Sequence, residues 1–217
     1  MSGVDSAAAR DLLVEGLAEL QMVVSETQLE QLLNLSLLLA HWSKRINLTG
    51  HRSAPEIVRR LILDAAALST RLPELASLAD IGSGAGFPGL PIAILRTSCQ
   101  VTLVESRERR HHFQREAIRR LGLANISARL GRAESLEPTL HRAAIAQAVA
   151  KPADALPLLL RWVESGGLLL LPGSHPPPQV PLEDPRASFE LAVTYQVPLG
   201  GARRTLWIAC KSSPKSP

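Results

Sequence analysis

The sequence predicts an α/β fold: a doubly wound, mainly parallel sheet, with a helical extension ahead of it and an antiparallel hairpin at its end. Three observations carry that expectation. Residues 80–89 read DIGSGAGFPG, a glycine-rich turn between an apolar run and a helix-compatible segment. From residue 77 onward short apolar runs alternate with helical patterns, as βαβ units require. The residues before 70 lack that alternation and repeat their leucines with a helical period instead.

At 217 residues the chain can form one ample domain, or a domain with an extension. Although 46% of its residues are hydrophobic, no apolar run stays uncharged for the roughly 18 residues that a membrane span needs. The N-terminal MSGVDSAAARDLLVEGL shows no basic leader before an apolar core, so the expected compartment is the cytoplasm, with no membrane partner. Cys99 and Cys210 are too few for a disulfide framework or a four-ligand metal site; both read as buried thiols, and no metal is expected.

The formal charge is +4, and its distribution says more than its sum. The first forty residues hold Arg10 alone against six acids. Between 41 and 60 come Lys44, Arg45, Arg52, Arg59 and Arg60 against Glu56, and between 107 and 120 six arginines against Glu108 and Glu116. Such clustering suits a nucleic-acid partner, and it equally suits solvated helix faces. The aromatic content of only 3% argues against an extended stacking platform for single-stranded bases.

In chain order, a helix is expected over 7–20, and a second from about 25, where Ser25 and Gln28 suit a capping box. Its leucines at 29, 32, 33 and 35, then 37–39, form a broad apolar face that continues to Trp42. Trp42 therefore reads as core ahead of stacking partner. A third helix is expected over 55–68, with Pro55 in its first turn. Strand one is then 77–81, the first sheet helix 90–96, strand two 101–104, the next helix 107–121 and strand three 126–130. Strand four is expected at 146–150, a helix around 156–163 and strand five at 168–171. The proline-rich PGSHPPPQVPLEDP reads as a loop, and 189–197 with 205–210 as the closing hairpin. The expected division is a helical extension over 1–70 packed on the core, a catalytic domain over 71–211 and a disordered tail over 212–217.

In such a sheet the ligand crevice lies at the carboxyl ends of the strands, beside the first glycine turn. Gly82, Gly84 and Gly86 there permit positive φ and close approach of the backbone to a ligand. Glu105 follows strand two, 23 positions beyond Gly82, close to the interval at which an acid meets ribose hydroxyls. Arg132, Ala133 and Glu134 follow strand three, and Lys151 follows strand four.

Both a nicotinamide dinucleotide and S-adenosylmethionine would fit a ribose-binding acid and a glycine turn. Asp80 favours the second, because a carboxylate two residues before the first glycine opposes a pyrophosphate and suits an ammonium or sulfonium. The spacing GxGxG also departs from the dinucleotide pattern GxGxxG.

Several blocks together resemble the bacterial 16S ribosomal RNA guanine-N7 methyltransferases, the RsmG or GidB family. HWSKRINLTG is similar to that family's W-N-K-x-x-N-L-T, LILDA to its H-I-L-D-S, and DIGSGAGFPGLPIAI to its methyl-donor loop, with Pro88 and Pro91 both in place. The resemblance runs from about 29 to 208. It implies a Rossmann-like class I S-adenosylmethionine-dependent methyltransferase sheet, and 16S ribosomal RNA or the small ribosomal subunit as partner of a monomeric enzyme. It also implies that Asp80, Gly82, Gly84, Gly86, Phe87, Glu105, Ala133, Glu134 and Lys151 hold the cofactor. Lys151 would in addition orient the reactants as the catalytic residue, and Lys44, Arg45 and Arg204 would contact RNA. Phe87 and Ala133 also admit a core reading.

The departures from the pattern are Leu61 for histidine, Pro172 for lysine, and Lys151 with Pro152 for arginine and alanine. Lysine lacks the planar fork of arginine, so a bidentate contact would be lost. A shifted substrate, or a binding protein without turnover, thus stands beside the methyltransferase reading, with a nicotinamide-dependent reductase as the remaining alternative. Guanine N7 carries a lone pair and no proton, so methylation there needs orientation and no general base. Neither cysteine is placed as a nucleophile, and His111 and His112 read as surface residues of the arginine-rich helix.

Overall fold

The computed structural model describes residues 3–147, 152–175 and 184–212. Two helices open the chain, α1 (Gly3–Glu19) and α2 (Glu26–Ser43). The expected capping box starts α2: the Ser25 hydroxyl accepts from the Gln28 N–H, and the Gln28 side-chain oxygen accepts from the Ser25 N–H. Leu29, Leu32, Leu33, Leu35, Leu38 and Leu39 are buried along it. Each contributes roughly 1.5–3 kcal/mol on burial, so this face, more than helix propensity, holds α2 in place.

The expected third helix is divided. It begins as α3 (Ala54–Ile57), passes through a π-helical turn (Val58–Ile62) and ends as α4 (Leu63–Ser69). One inserted residue rotates everything after it by about 100° around the helix axis. The direction taken by Asp64 depends on that rotation.

Seven strands form one sheet: β1 (Ser77–Ile81), β2 (Gln100–Glu105), β3 (Ile126–Leu130), β4 (His141–Ile145), β5 (Val163–Ser174), β6 (Ala187–Gln196) and β7 (Arg203–Lys211). Their order is β3-β2-β1-β4-β5-β7-β6. The first five are parallel; β7 is inserted antiparallel between β5 and β6. The remaining helices are α5 (Gly89–Leu95), α6 (Glu108–Leu121) and α7 (Pro152–Trp162). Chain order reverses at β1, whose neighbours are β2 and β4, and that reversal opens the crevice at their carboxyl ends.

Alternation along the strands builds two cores. Leu78, Val101, Leu103, Ala143 and Ile145 point to the face covered by α1 to α6, whereas Ala79, Ile81, Val104, Ala144 and Leu169 point to the face covered by α7. The helices before residue 70 thus share one continuous core with the sheet. At the tip of the final hairpin, Leu199 (φ 57°) donates its N–H to Glu19 at 2.9 Å and accepts from Arg59 Nη1 at 3.0 Å. The hairpin is thereby fastened to the first helices.

Several boundaries differ from expectation: α1 and α7 each begin four residues early, at Gly3 and Pro152, the hairpin strands are shifted or extended by one or two residues, and three further differences bear on the crevice and the tail. Strand four is His141–Ile145 and not 146–150; of that expected segment Ala146 and Gln147 lie beyond the strand and 148–150 lie outside the described residues. An alanine-rich run buried on both faces has no period to fix its register; pairing of Ala143 with Leu78 and with Leu168 does so. Strand five extends through Pro172, Gly173 and Ser174, which pair with Leu206, Thr205 and Arg204. Leu170 faces β4 through its carbonyl, and so does Pro172 two residues on; β4 has ended there, so the missing N–H costs nothing. Ser212, assigned to the tail, donates its N–H to the Arg186 carbonyl, and the rest of the tail lies outside the described residues.

Candidate functional site

The chain leaves β1 through a tight turn tied to β2: the N–H groups of Gly82 and Ser83 both donate to the Val104 carbonyl, at 2.8 and 3.1 Å. Gly82, Gly84 and Gly86 have φ of 69°, 59° and 87°, a region closed to most side chains. Gly86 has a second reason to be glycine, since a Cβ would collide with Leu90. Gly84 has none on that side; around it the nearest neighbour of a Cβ would be Arg110 Nη1 at 3.9 Å. Gly84 therefore borders open space, as do the partly exposed Gly82 and Phe87, while Gly86 is buried beneath them.

Asp80 lies under the turn. Its Oδ2 accepts the Gly89 N–H at 2.9 Å, at the start of α5. Burial pushes its pKa up to about 7, opposed by the Gly89 hydrogen bond and reinforced by the charge of Glu105. The helix start that would have received a pyrophosphate already holds a carboxyl group of the chain itself.

Glu105 ends β2, almost fully buried. Its Oε2 accepts the Gly84 N–H at 2.9 Å, its Oε1 accepts the Arg107 N–H at 2.8 Å, and Arg110 Nη1 stands 3.8 Å away. Each oxygen keeps a further lone pair for a hydroxyl donor. From α6, Gln114 reaches the same turn: its Nε2 donates to Ser83 Oγ and to the Gly84 carbonyl, each at 2.8 Å. Gly84 is thus held at its N–H by Glu105 and at its carbonyl by Gln114. Sequence reasoning missed Gln114; the one signal was a polar residue on the stripe of α6 that carries Ala117 and Leu121.

The loop after β3 joins this edge, because Gly131 donates its N–H to the Glu105 carbonyl at 2.9 Å. Ala133 is buried there, its carbonyl accepting from Trp162 Nε1 at 3.2 Å, and the exposed Glu134 stands 3.6 Å from Arg132. Lys151 lies outside the described residues.

Of the expected RNA contacts, Lys44 and Arg45 are exposed just past the end of α2. Arg45 lines a cavity of about 280 Å³ with His41, Trp42, Ile46 and Arg120, and an adjoining one of about 480 Å³ lies between α2 and α6. Neither touches the glycine turn. Trp42 packs edge-on against Phe113, 5.7 Å between ring centres, as a core residue would. Arg204 is paired inside the chain: its Nη2 donates to Asp64 at 3.0 Å. Sequence reasoning did not single out Asp64 as a site residue; it is buried, and its carboxylate also accepts from Tyr195 Oη and Gln147 Nε2, each at 3.4 Å. Desolvation raises its pKa against the pull of Arg204.

Two expectations are corrected. His111 is buried, its Nε2 3.3 Å from the Ala128 carbonyl, because it falls on the stripe of α6 that packs on β3; His112 is exposed as expected. Cys99 is buried and its thiol pKa raised by that burial, whereas Cys210 is half-buried beside the hairpin edge. Among the described residues no three potential ligands gather into a metal site.

Residues 28–207 match a family described as rRNA small subunit methyltransferase G. The ribosomal RNA small subunit methyltransferase G of Halorhodospira halophila is 32% identical over 206 residues, which cover 94% of this chain and 98% of that protein. Its counterpart in Dichelobacter nodosus is 33% identical over 213 residues, covering 96% and 99%. Among solved structures, an O-methyltransferase described as putative from Klebsiella pneumoniae superposes with a TM-score of 0.56 at 18% identity, covering 92% of this chain and 96% of that one. The M. jannaschii TYW2 complex with AdoMet gives 0.55 at 14% identity, covering 70% and 76%. These two likenesses establish the fold alone: the sheet is that of class I methyltransferases.

Proposed function

The chain belongs to the rRNA small subunit methyltransferase G family, and from there we propose that it transfers the methyl group of S-adenosylmethionine to N7 of a guanine in 16S ribosomal RNA. One observation carries the cofactor half of this reading: Gly84 is clamped between Glu105 and Gln114 while its outer side stays open. Glu105 would accept the ribose hydroxyls, Gly82, Gly84 and Phe87 would line the cradle, and Ala133 and Glu134 would flank the adenine. Asp80 and Gly86 act from below, by fixing the turn. A nicotinamide dinucleotide fits less well, since Asp80 occupies the start of α5.

When bound, S-adenosylmethionine supplies a methyl group on a positively charged sulfur. The guanine N7 lone pair is unprotonated at neutral pH, so no residue need remove a proton. What the chain contributes is alignment, worth up to roughly 7–11 kcal/mol of barrier in well-oriented reactions.

We read residues 1–70 as a helical extension packed on the catalytic unit, and the core that α1 to α4 share with the sheet supports that packing. With a ribosomal RNA substrate we read the reaction as cytoplasmic, and we read the enzyme as a monomer; no helix among the described residues is long and apolar enough to cross a membrane. Nucleoside mass spectrometry of 16S ribosomal RNA from cells with and without the gene tests the reading. Loss of 7-methylguanosine on deletion is expected, and an unchanged level rejects it.

A further inference from the structure

The cluster around Asp64 lies at the sheet edge that carries the glycine turn, yet it plays no part in the cradle. Arg204, the second residue of β7, lies opposite Ser174 at the carboxyl end of β5; Tyr195 is its partner in β6, and Gln147 stands two residues past β4. Asp64 reaches them from α4, just after the π-helical turn. Side chains from β6, from β7 and from the segment after β4 therefore converge on the one carboxylate that α4 carries.

The two partners differ in what is left over. The Asp64 side chain is 7% exposed and both its oxygens are engaged, so it cannot itself meet a substrate. The Arg204 side chain is 32% exposed, and only Nη2 is committed to Asp64. Its Nε is buried and, among the described residues, has no acceptor. That buried Nε is out of reach of an outside ligand, but a guanidinium gripped at Nη2 alone, with part of its side chain exposed, is arranged to take a second anion on its open side.

We propose that Asp64, with Tyr195 and Gln147, is a positioning residue that fixes Arg204 as a binding site for a phosphate of the RNA strand at this edge. The ligand's identity rests on the function proposed above; the grip on Arg204 does not.

A purely structural ion pair makes the opposite prediction, which is what gives the test its edge. Removing an acid beside an arginine ordinarily strengthens RNA binding, because the net charge becomes more positive. If Asp64 positions Arg204, Asp64→Asn weakens it instead. The affinity of the full chain for 16S ribosomal RNA is measured between 50 and 200 mM salt, with S-adenosylmethionine titration as the control for an intact fold. Arg204→Met is expected to lose one phosphate contact, so that its affinity falls about three- to fourfold less steeply across that range. Asp64→Asn should show the same shallower dependence, and the double variant should be no weaker than Arg204→Met alone. Tyr195→Phe, a milder change, should weaken RNA binding partially and carries the test if Asp64→Asn does not fold. Unchanged or tighter RNA binding in Asp64→Asn and Tyr195→Phe, or an additive double variant, overturns the inference while leaving the proposed function standing. A wild-type chain that binds no ribosomal RNA overturns both.

Discussion

The carboxyl group of Asp80 accepts the backbone N–H of Gly89 at 2.9 Å, beneath the glycine turn and out of contact with solvent. Its pKa is pushed up to about 7, chiefly by burial, so in the folded chain it holds a proton that an unfolded chain releases near pH 4. The folded state then binds more protons between about pH 4 and 7, and stability falls as pH rises through that window. Asp80→Asn keeps an oxygen for Gly89 and removes the titration. Denaturant melts at pH 4.5 and 7 should show wild type losing stability relative to Asp80→Asn, by at most a few kcal/mol. Parallel curves would refute the assignment of this slope to Asp80.

Gln114→Leu separates cofactor binding from folding. The Gln114 Oε1 is buried without a partner among the described residues, so leucine removes a cost as well as two hydrogen bonds, and the melting temperature should move little. The Gly84 carbonyl loses its restraint, and S-adenosylmethionine affinity should fall by about 5- to 100-fold, or about 1–3 kcal/mol. Isothermal titration with the cofactor reads this directly.

At Glu105 the isosteric change to glutamine leaves one acceptor oxygen for two backbone donors, Gly84 and Arg107, and substitutes an amide N–H₂ for the other. Cofactor affinity should drop by roughly 10- to 100-fold, the range for hydrogen bonds to a charged group. Equal affinities in the two proteins would remove Glu105 from the site.

Gly86→Ala should destabilise the whole chain, since φ of 87° disfavours any Cβ by about 1–3 kcal/mol before the collision with Leu90 is counted. Thermal unfolding measures it. Gly84→Ala, with open space around it, should cost less stability and more cofactor affinity.

The legible parts of the fold were those whose signal is local. Strands β1 and β3 begin and end where the sequence puts them, because each is a short run that stops at a glycine, Gly82 and Gly131, and α2 starts where Ser25 and Gln28 can cap it. The glycine turn and Glu105 were legible for the same reason: a strand end and a fixed spacing announce them. β4 slipped because HRAAIAQAVA offers several equivalent windows, and only its neighbours choose among them. Asp64 and Gln114 leave only faint traces along the chain, one inside the LILDA block and the other as a polar residue on an apolar stripe. Their importance comes from partners that the fold delivers from far away, Arg204 at 140 positions and Gly84 at 30.

That difference in reach orders events in the growing chain. The cradle joins residues 21 and 30 positions apart, so Gly84, Glu105 and Gln114 can meet as soon as the first βαβ units have emerged. The grip on Arg204 and the fastening of Leu199 to Glu19, 180 positions away, must wait for the last strand. In a chain made from its N-terminus, the residues of the glycine cradle are therefore all present well before Arg204 and Leu199, so the hairpin contacts are the last of these to become available.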